Sequence, residues 1–178
     1  MYKKKVLKIL VTGVLLFSSI TGIVHAETAY PVVLGYDLVD SGKHMDYKIS
    51  SKYDWLDEGA ASTWNNYLGS TVIRRDNWGT VNDCNVSDVT RSDVTWAGVT
   101  ATPSIGIVTG YIQLNTYYMD QYTSTKQATV IKHEFGHTLG CGENSCSDLN
   151  IMYPSAKYGN IELTIHDKAS VDLAKKSW

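Results

Sequence analysis

Apolar residues recur along this chain with two different periods, and the period separates its helices from its strands. Tyr53, Leu56, Ala60, Trp64 and Tyr67 follow one another at three- and four-residue steps, the spacing of one face of an α-helix. Ser51 ahead of Asp54 has the form of a capping box, and Gly69 closes the run, so a helix is predicted from about residue 52 to Gly69. Its large aromatic stripe is read as core packing on a sheet. A second helix is predicted over residues 124–139, with Ala128, Ile131, Phe135 and Leu139 on one face. Between and before these helices the pattern shortens. Residues 30–40 predict a strand or extended arm, and residues 44–49 and 71–75 short strands. Residues 106–116 predict another strand, alternating best at Tyr111-Ile112-Gln113-Leu114-Asn115. The stretch 82–93, rich in Asn, Asp and Ser, is expected to be a polar loop or irregular strand, with oxygens that would suit a structural Ca2+.

The N-terminus stands apart from this pattern. Lys3, Lys4, Lys5 and Lys8 precede an apolar run from Ile9 to Ile23, and Val24-His25-Ala26 has the small-x-small form of a cleavage site. Residues 1–26 are therefore expected to be a signal peptide that is removed, leaving residues 27–178 as a single domain of a secreted, extracellular protein. The apolar run is broken by Thr12, Gly13, Ser18 and Ser19, which weakens a membrane-anchor alternative.

At 43% hydrophobic and 19% charged residues the chain has the balance of one compact globular domain. Without the four signal lysines, 12 basic residues face 18 acidic ones, a net charge of −6. That balance argues against nucleic acid or an anionic membrane as partner. An oxidising compartment would pair two of the three cysteines, with Cys141 and Cys146 the local candidates and Cys84 left over. A monomer is expected.

Chemistry concentrates in His133-Glu134-Phe135-Gly136-His137-Thr138-Leu139-Gly140-Cys141-Gly142-Glu143. At 100° per residue, His133 and His137 lie about 40° apart on the helix, so both imidazoles can converge on one metal ion. Ile131, Phe135 and Leu139 occupy roughly the opposite face, which would bury one side of the helix and leave the histidines to a cleft. Glu134 projects beside the metal face, where its carboxylate can take a proton from an activated water. Gly140 falls where a helix stops and reverses, and the reversal can carry Glu143 back toward the metal.

With Ile151-Met152-Tyr153-Pro154 downstream, these residues make the chain resemble the metzincin clan of zinc peptidases, most nearly its matrixin branch. That clan carries His-Glu-x-x-His-x-x-Gly-x-x-His/Asp followed by a methionine turn under the metal. His133, Glu134, His137, Gly140 and Met152 match by position, over a resemblance spanning about residues 46–176 and strongest from 124 to 154. It implies an α+β fold: a twisted, mostly parallel sheet with one antiparallel edge strand, two long helices, and a short C-terminal part ending in a helix from Leu163-Thr164 to Lys175. It also implies that the strand around residues 112–115 is the substrate-binding edge, that Zn2+ is the cofactor, and that protein or peptide is the substrate. Pro154-Ser155-Ala156 would form part of a specificity wall, and Tyr158 is a candidate oxyanion donor.

The chain departs from the family at the third ligand, where Glu143 stands in place of His or Asp. A carboxylate is an acceptable zinc donor, so Glu143 is taken as the third ligand. Asp148, Glu162 and the thiols of Cys141 and Cys146 remain competitors. His44 and His166 have no partner at metal spacing, and no propeptide cysteine switch is visible. The function expected is zinc-dependent endopeptidase, with Glu134 as general base. The alternatives are a secreted zinc-binding module without catalysis and a zinc hydrolase of cell-wall peptides.

Overall fold

The structure is a computed structural model that describes residues 28–101, 109–157, 159 and 162–178. The signal segment 1–26 and Tyr158 lie outside the described residues. The chain forms β1 (Met45–Ser50), α1 (Asp57–Leu68), β2 (Ile73–Arg75), β3 (Cys84–Val89), β4 (Gly98–Ala101), β5 (Gly110–Asn115), α2 (Thr116–Met119), α3 (Ser124–Thr138) and α4 (Ile165–Ala174). This is a mixed α/β fold around one five-stranded sheet in the order β2-β1-β3-β5-β4. β1 pairs in parallel with β2 and β3, and β3 with β5; only β4 runs antiparallel, against β5.

Helices α1 and α3 pack on each other. Trp64, fully buried on α1, donates its indole N–H to the Lys132 carbonyl of α3 at 2.9 Å. Tyr47 of β1 meets Phe135 of α3 at 5.0 Å between ring centres, which ties α3 to the sheet. Its hydroxyl donates to Asp57, whose carboxylate also accepts from Arg75, so the phenol does not leave an unpaired polar group in the core. The apolar face anticipated for α3 is present: Ile131, Phe135 and Leu139 are buried, while Ala128 is half-buried. Among the described residues no helix is long and apolar enough to cross a membrane.

Several elements differ from the sequence expectation for identifiable reasons. Helix α1 begins at Asp57 rather than near residue 52, because the Ser51 hydroxyl makes a local turn. It accepts from the Tyr53 amide at 3.0 Å and donates to Asp88 at 2.6 Å. Its end at Gly69 is as expected, with the glycine at φ 68°. The polar stretch 82–93 contains β3, a regular interior strand: Cys84 and Val86 point into the core, and Asn85 is exposed. In this stretch the Asp88 carboxylate accepts from the Ser51 hydroxyl and the Lys52 amide, while Asp83 gathers with Asp40 and Asp46.

The strand around 112–115 is not the edge of the sheet. β5 lies between β3 and β4 with Ile112 and Leu114 fully buried, and the antiparallel edge is the unanticipated β4. Asn115, fully buried at the end of β5, fixes the approach to that edge. Its amide donates to the carbonyls of Arg91 and Trp96, and its oxygen accepts from the Arg91 amide.

The pairing of Cys141 with Cys146 is also not formed. All three cysteines are free; Cys141 is buried where it bridges Val33, while Cys146 is exposed on the following loop. Residues 30–40 form the expected extended arm, with a single isolated bridge. The C-terminal helix α4 starts at a reciprocal capping box between Thr164 and Asp167.

Candidate metal centre

Helix α3 delivers both histidines to a cleft of about 320 Å³ between the helix, the edge strand β4 and the loop that follows Ile151. Thr123 caps its start, and a Schellman turn ends it: the Gly140 amide bonds His137 O and the Cys141 amide bonds Gly136 O. The turn requires a left-handed residue, and Gly140 supplies it at φ 88°. A side chain there would also press on the Tyr36 carbonyl at 3.2 Å.

The reversed segment is then clamped by the N-terminal arm. Leu34 N bonds Gly140 O, Gly142 N bonds Val32 O, and the Asn144 side chain donates to Tyr30 O. Asn144 is fully buried and its own amide bonds Met152 O at 2.7 Å. Glu143 is thus set between two backbone anchors, and its carboxylate faces the histidines. Oε1 stands 3.3 Å from Nε2 of His133 and 3.5 Å from Nε2 of His137.

Two features of this group fit a zinc ion. Four donors at 2.0–2.1 Å around zinc are separated by tetrahedral edges of about 3.3–3.4 Å, and the two N···O separations, 3.3 and 3.5 Å, lie close to that edge. The second feature is the tautomer. His133 Nδ1 lies 2.8 Å from Ile151 O and His137 Nδ1 lies 2.9 Å from Cys141 O. A carbonyl only accepts, so each Nδ1 carries a hydrogen, and in the neutral ring each Nε2 keeps a lone pair for a metal. These two carbonyls are the outer partners that the sequence did not identify.

Without an ion the three groups perturb one another. Burial opposes charge on His133, yet the carboxylates of Glu143 and Glu134 outweigh it and push His133 up to about 9. Burial likewise works against a charged Glu143, but hydrogen bonds from His133 and His137 hold its carboxyl down to about 2. A divalent cation would take the place of the proton that the carboxylates hold on His133.

Glu134 is nearly fully buried against β4. Its Oε2 accepts from the Thr100 hydroxyl at 2.6 Å, and a Cβ built on Gly98 would lie 2.5 Å from its Oε1. Met152 is fully buried beneath the helix, its sulfur against Gly136. The turn that carries it is held by the buried Asp167 of α4, which accepts from Ile151 N at 3.0 Å and Met152 N at 3.1 Å.

The competing ligands are elsewhere. Among the described residues His133, His137 and Glu143 bring one ligand atom each within 4.8 Å of the others, and the competitors do not join them. Asp148 faces Lys157 at 3.6 Å, Glu162 lines a separate groove beside α1, and the Cys141 thiol is buried, which pushes its pKa up. His166 is buried and accepts from the Tyr30 amide. Tyr153, Pro154, Ser155 and Ala156 do line the cleft. Thr100 and Gly98 were not singled out from sequence; no spacing links them to a glutamate more than thirty residues later.

No family model and no curated protein sequence matches this chain. Among solved structures, the archaemetzincin of Methanopyrus kandleri is similar in arrangement, with 12% identity and a TM-score of 0.47 over 78% of this chain and 97% of that one. A likeness of that size says nothing about activity.

Proposed function

We propose that this chain is a secreted zinc-dependent endopeptidase of metzincin type, with His133, His137 and Glu143 holding the metal and Glu134 acting as general base. The observation that carries the reading is the convergence of two imidazoles on one carboxylate oxygen, 3.3 and 3.5 Å from their Nε2 atoms, with a buried second carboxylate in the same cleft. When bound, zinc supplies the Lewis acidity that polarises a peptide carbonyl and makes water a nucleophile near neutral pH.

The chain's own groups do the rest. Glu134 accepts the proton of the attacking water and returns it to the leaving amine, which requires a carboxylate held close but outside the ligand set. Among the described residues β4 pairs with β5 on one side, and its residues line the cleft. An extended peptide can add to its free side by backbone hydrogen bonds, with its carbonyl carried past the histidines. Secretion rests on the N-terminal signal pattern.

The test is zinc content and casein hydrolysis of the secreted protein beside Glu134→Ala. About one equivalent of zinc in both, with turnover lowered by roughly 10²–10⁴-fold in the variant, is expected from loss of a general base. Zinc-free protein, or equal cleavage by both, would refute the proposal.

A further inference from the structure

The residue that opposes Glu134 across the cleft has a chemistry of its own. Gly98 and Thr100 are two apart on β4 and so share one face of the strand, the face turned to helix α3. Both touch the same carboxylate. The Gly98 backbone lies so close that even a methyl group would overlap Oε1, and the Thr100 hydroxyl meets Oε2 at 2.6 Å. A hydroxyl has one hydrogen. Its other neighbour, the Glu134 carbonyl, is at 3.2 Å, so the shorter contact to the charged oxygen takes it.

We infer that Thr100 is the positioning residue for the general base: its hydroxyl fixes one oxygen of Glu134 and leaves the other, beside Gly98, to receive the proton. This inference rests on the proposed peptidase reading. A carboxyl group with almost no solvent access needs a hydrogen-bond partner, and without one it would rotate away from a productive angle. The edge strand thereby has two tasks, since the strand open to an extended substrate is also the one that orients the base. Substrate register and base orientation are coupled through one short strand.

Thermal unfolding of the metal-free chain and steady-state casein kinetics of the zinc-loaded chain test this with Thr100→Val, Thr100→Ser, Glu134→Ala and the Thr100→Val/Glu134→Ala pair. Thr100→Val keeps the shape and removes the hydroxyl. Its expected effect is a fall in kcat of about tenfold, the scale of one hydrogen bond to a charged group, with KM and zinc content unchanged and recovery in Thr100→Ser. The drop in Tm caused by Thr100→Val should be smaller when Glu134 is already alanine, since only the contact to the carbonyl of residue 134 is then lost. An unaltered kcat in Thr100→Val beside an active parent overturns the positioning role alone, as does a Tm loss of the same size in the Glu134→Ala background. A zinc-loaded parent that cleaves nothing removes the reaction, and overturns both this role and the reading beneath it.

Discussion

The sulfur of Met152 occupies the space that a side chain on Gly136 would need: a Cβ built there would lie 2.3 Å from Sδ and 2.8 Å from the Trp64 ring. Gly136 lies in the last turn of α3, between the two histidines, so this close approach is what seats the methionine directly beneath the turn that carries them. Glycine costs a helix interior about 1 kcal/mol relative to alanine. Its presence here is explained by the contact and not by helix preference.

Gly136→Ala should therefore destabilise the protein in spite of the better helix former. The ring of Trp64 cannot yield, and overpacking of this kind costs about 1–3 kcal/mol. Urea unfolding should give a lower midpoint, and adding Met152→Ala should recover part of the loss. A Gly136→Ala protein as stable as the parent would mean that the packing beneath the helix is looser than the structure has it.

Asp167→Asn should damage both fold and site. The carboxylate is fully buried and accepts from the amides of Ile151, Met152 and Thr164, while also closing the cap of α4. An amide turns an NH2 group toward those donors, so a loss of about 3 kcal/mol is expected from unfolding curves. Ile151 O is the partner of His133 Nδ1. Zinc affinity should consequently fall by about tenfold or more even in the folded fraction.

Metal-free protein should respond to pH through His133 and Glu143. Folding raises His133 from 6.5 to about 9, so its stabilisation is complete below pH 6.5 and is lost as pH rises through about 9. Folding lowers Glu143 from 4.5 to about 2, so its share is complete above pH 4.5 and is lost as pH falls through about 2. The pair then supports the metal-free fold best between these two ordinary values. Because Glu143 is half exposed, the effect should stay within about 1 kcal/mol. In chelator, Tm of the parent should decline from pH 6.5 to 9 more steeply than that of Glu143→Gln. With zinc the trend should reverse, since the metal needs neutral histidines and binds better as pH rises. Parallel curves for parent and Glu143→Gln in chelator would contradict the ion pair.

What could be read in the sequence was what is local. Helix α3, its stop at Gly140, the two-histidine spacing and the return of Glu143 all lie within about twenty residues, where periodicity and a glycine stop carry the information. The extended arm and the C-terminal helix were likewise legible. β3 was legible only in part, because its polar residues alternate with only two well-buried side chains, Cys84 and Val86, and the stretch reads equally as polar loop or irregular strand. β4 was missed for a related reason: four residues beginning with glycine make no pattern, and it is a strand because β5 pairs with it. Ser51 shows the opposite failure, a capping signal used instead for a turn that meets Asp88. The contacts that complete the site were out of reach because they join segments distant in the chain: Thr100 to Glu134, Asp167 to Met152, and the arm at Val32 to Gly142.

The central claim is that His133, His137 and Glu143 together hold one zinc ion. Crystallographic anomalous scattering at the zinc edge, on protein purified without chelator, tests it most directly. A single strong peak is expected about 2.0–2.2 Å from Nε2 of each histidine and from a Glu143 oxygen, with a fourth position open toward the cleft. A peak ligated by Asp148, Glu162 or a cysteine sulfur in place of Glu143, or no peak between the two imidazoles, would contradict it.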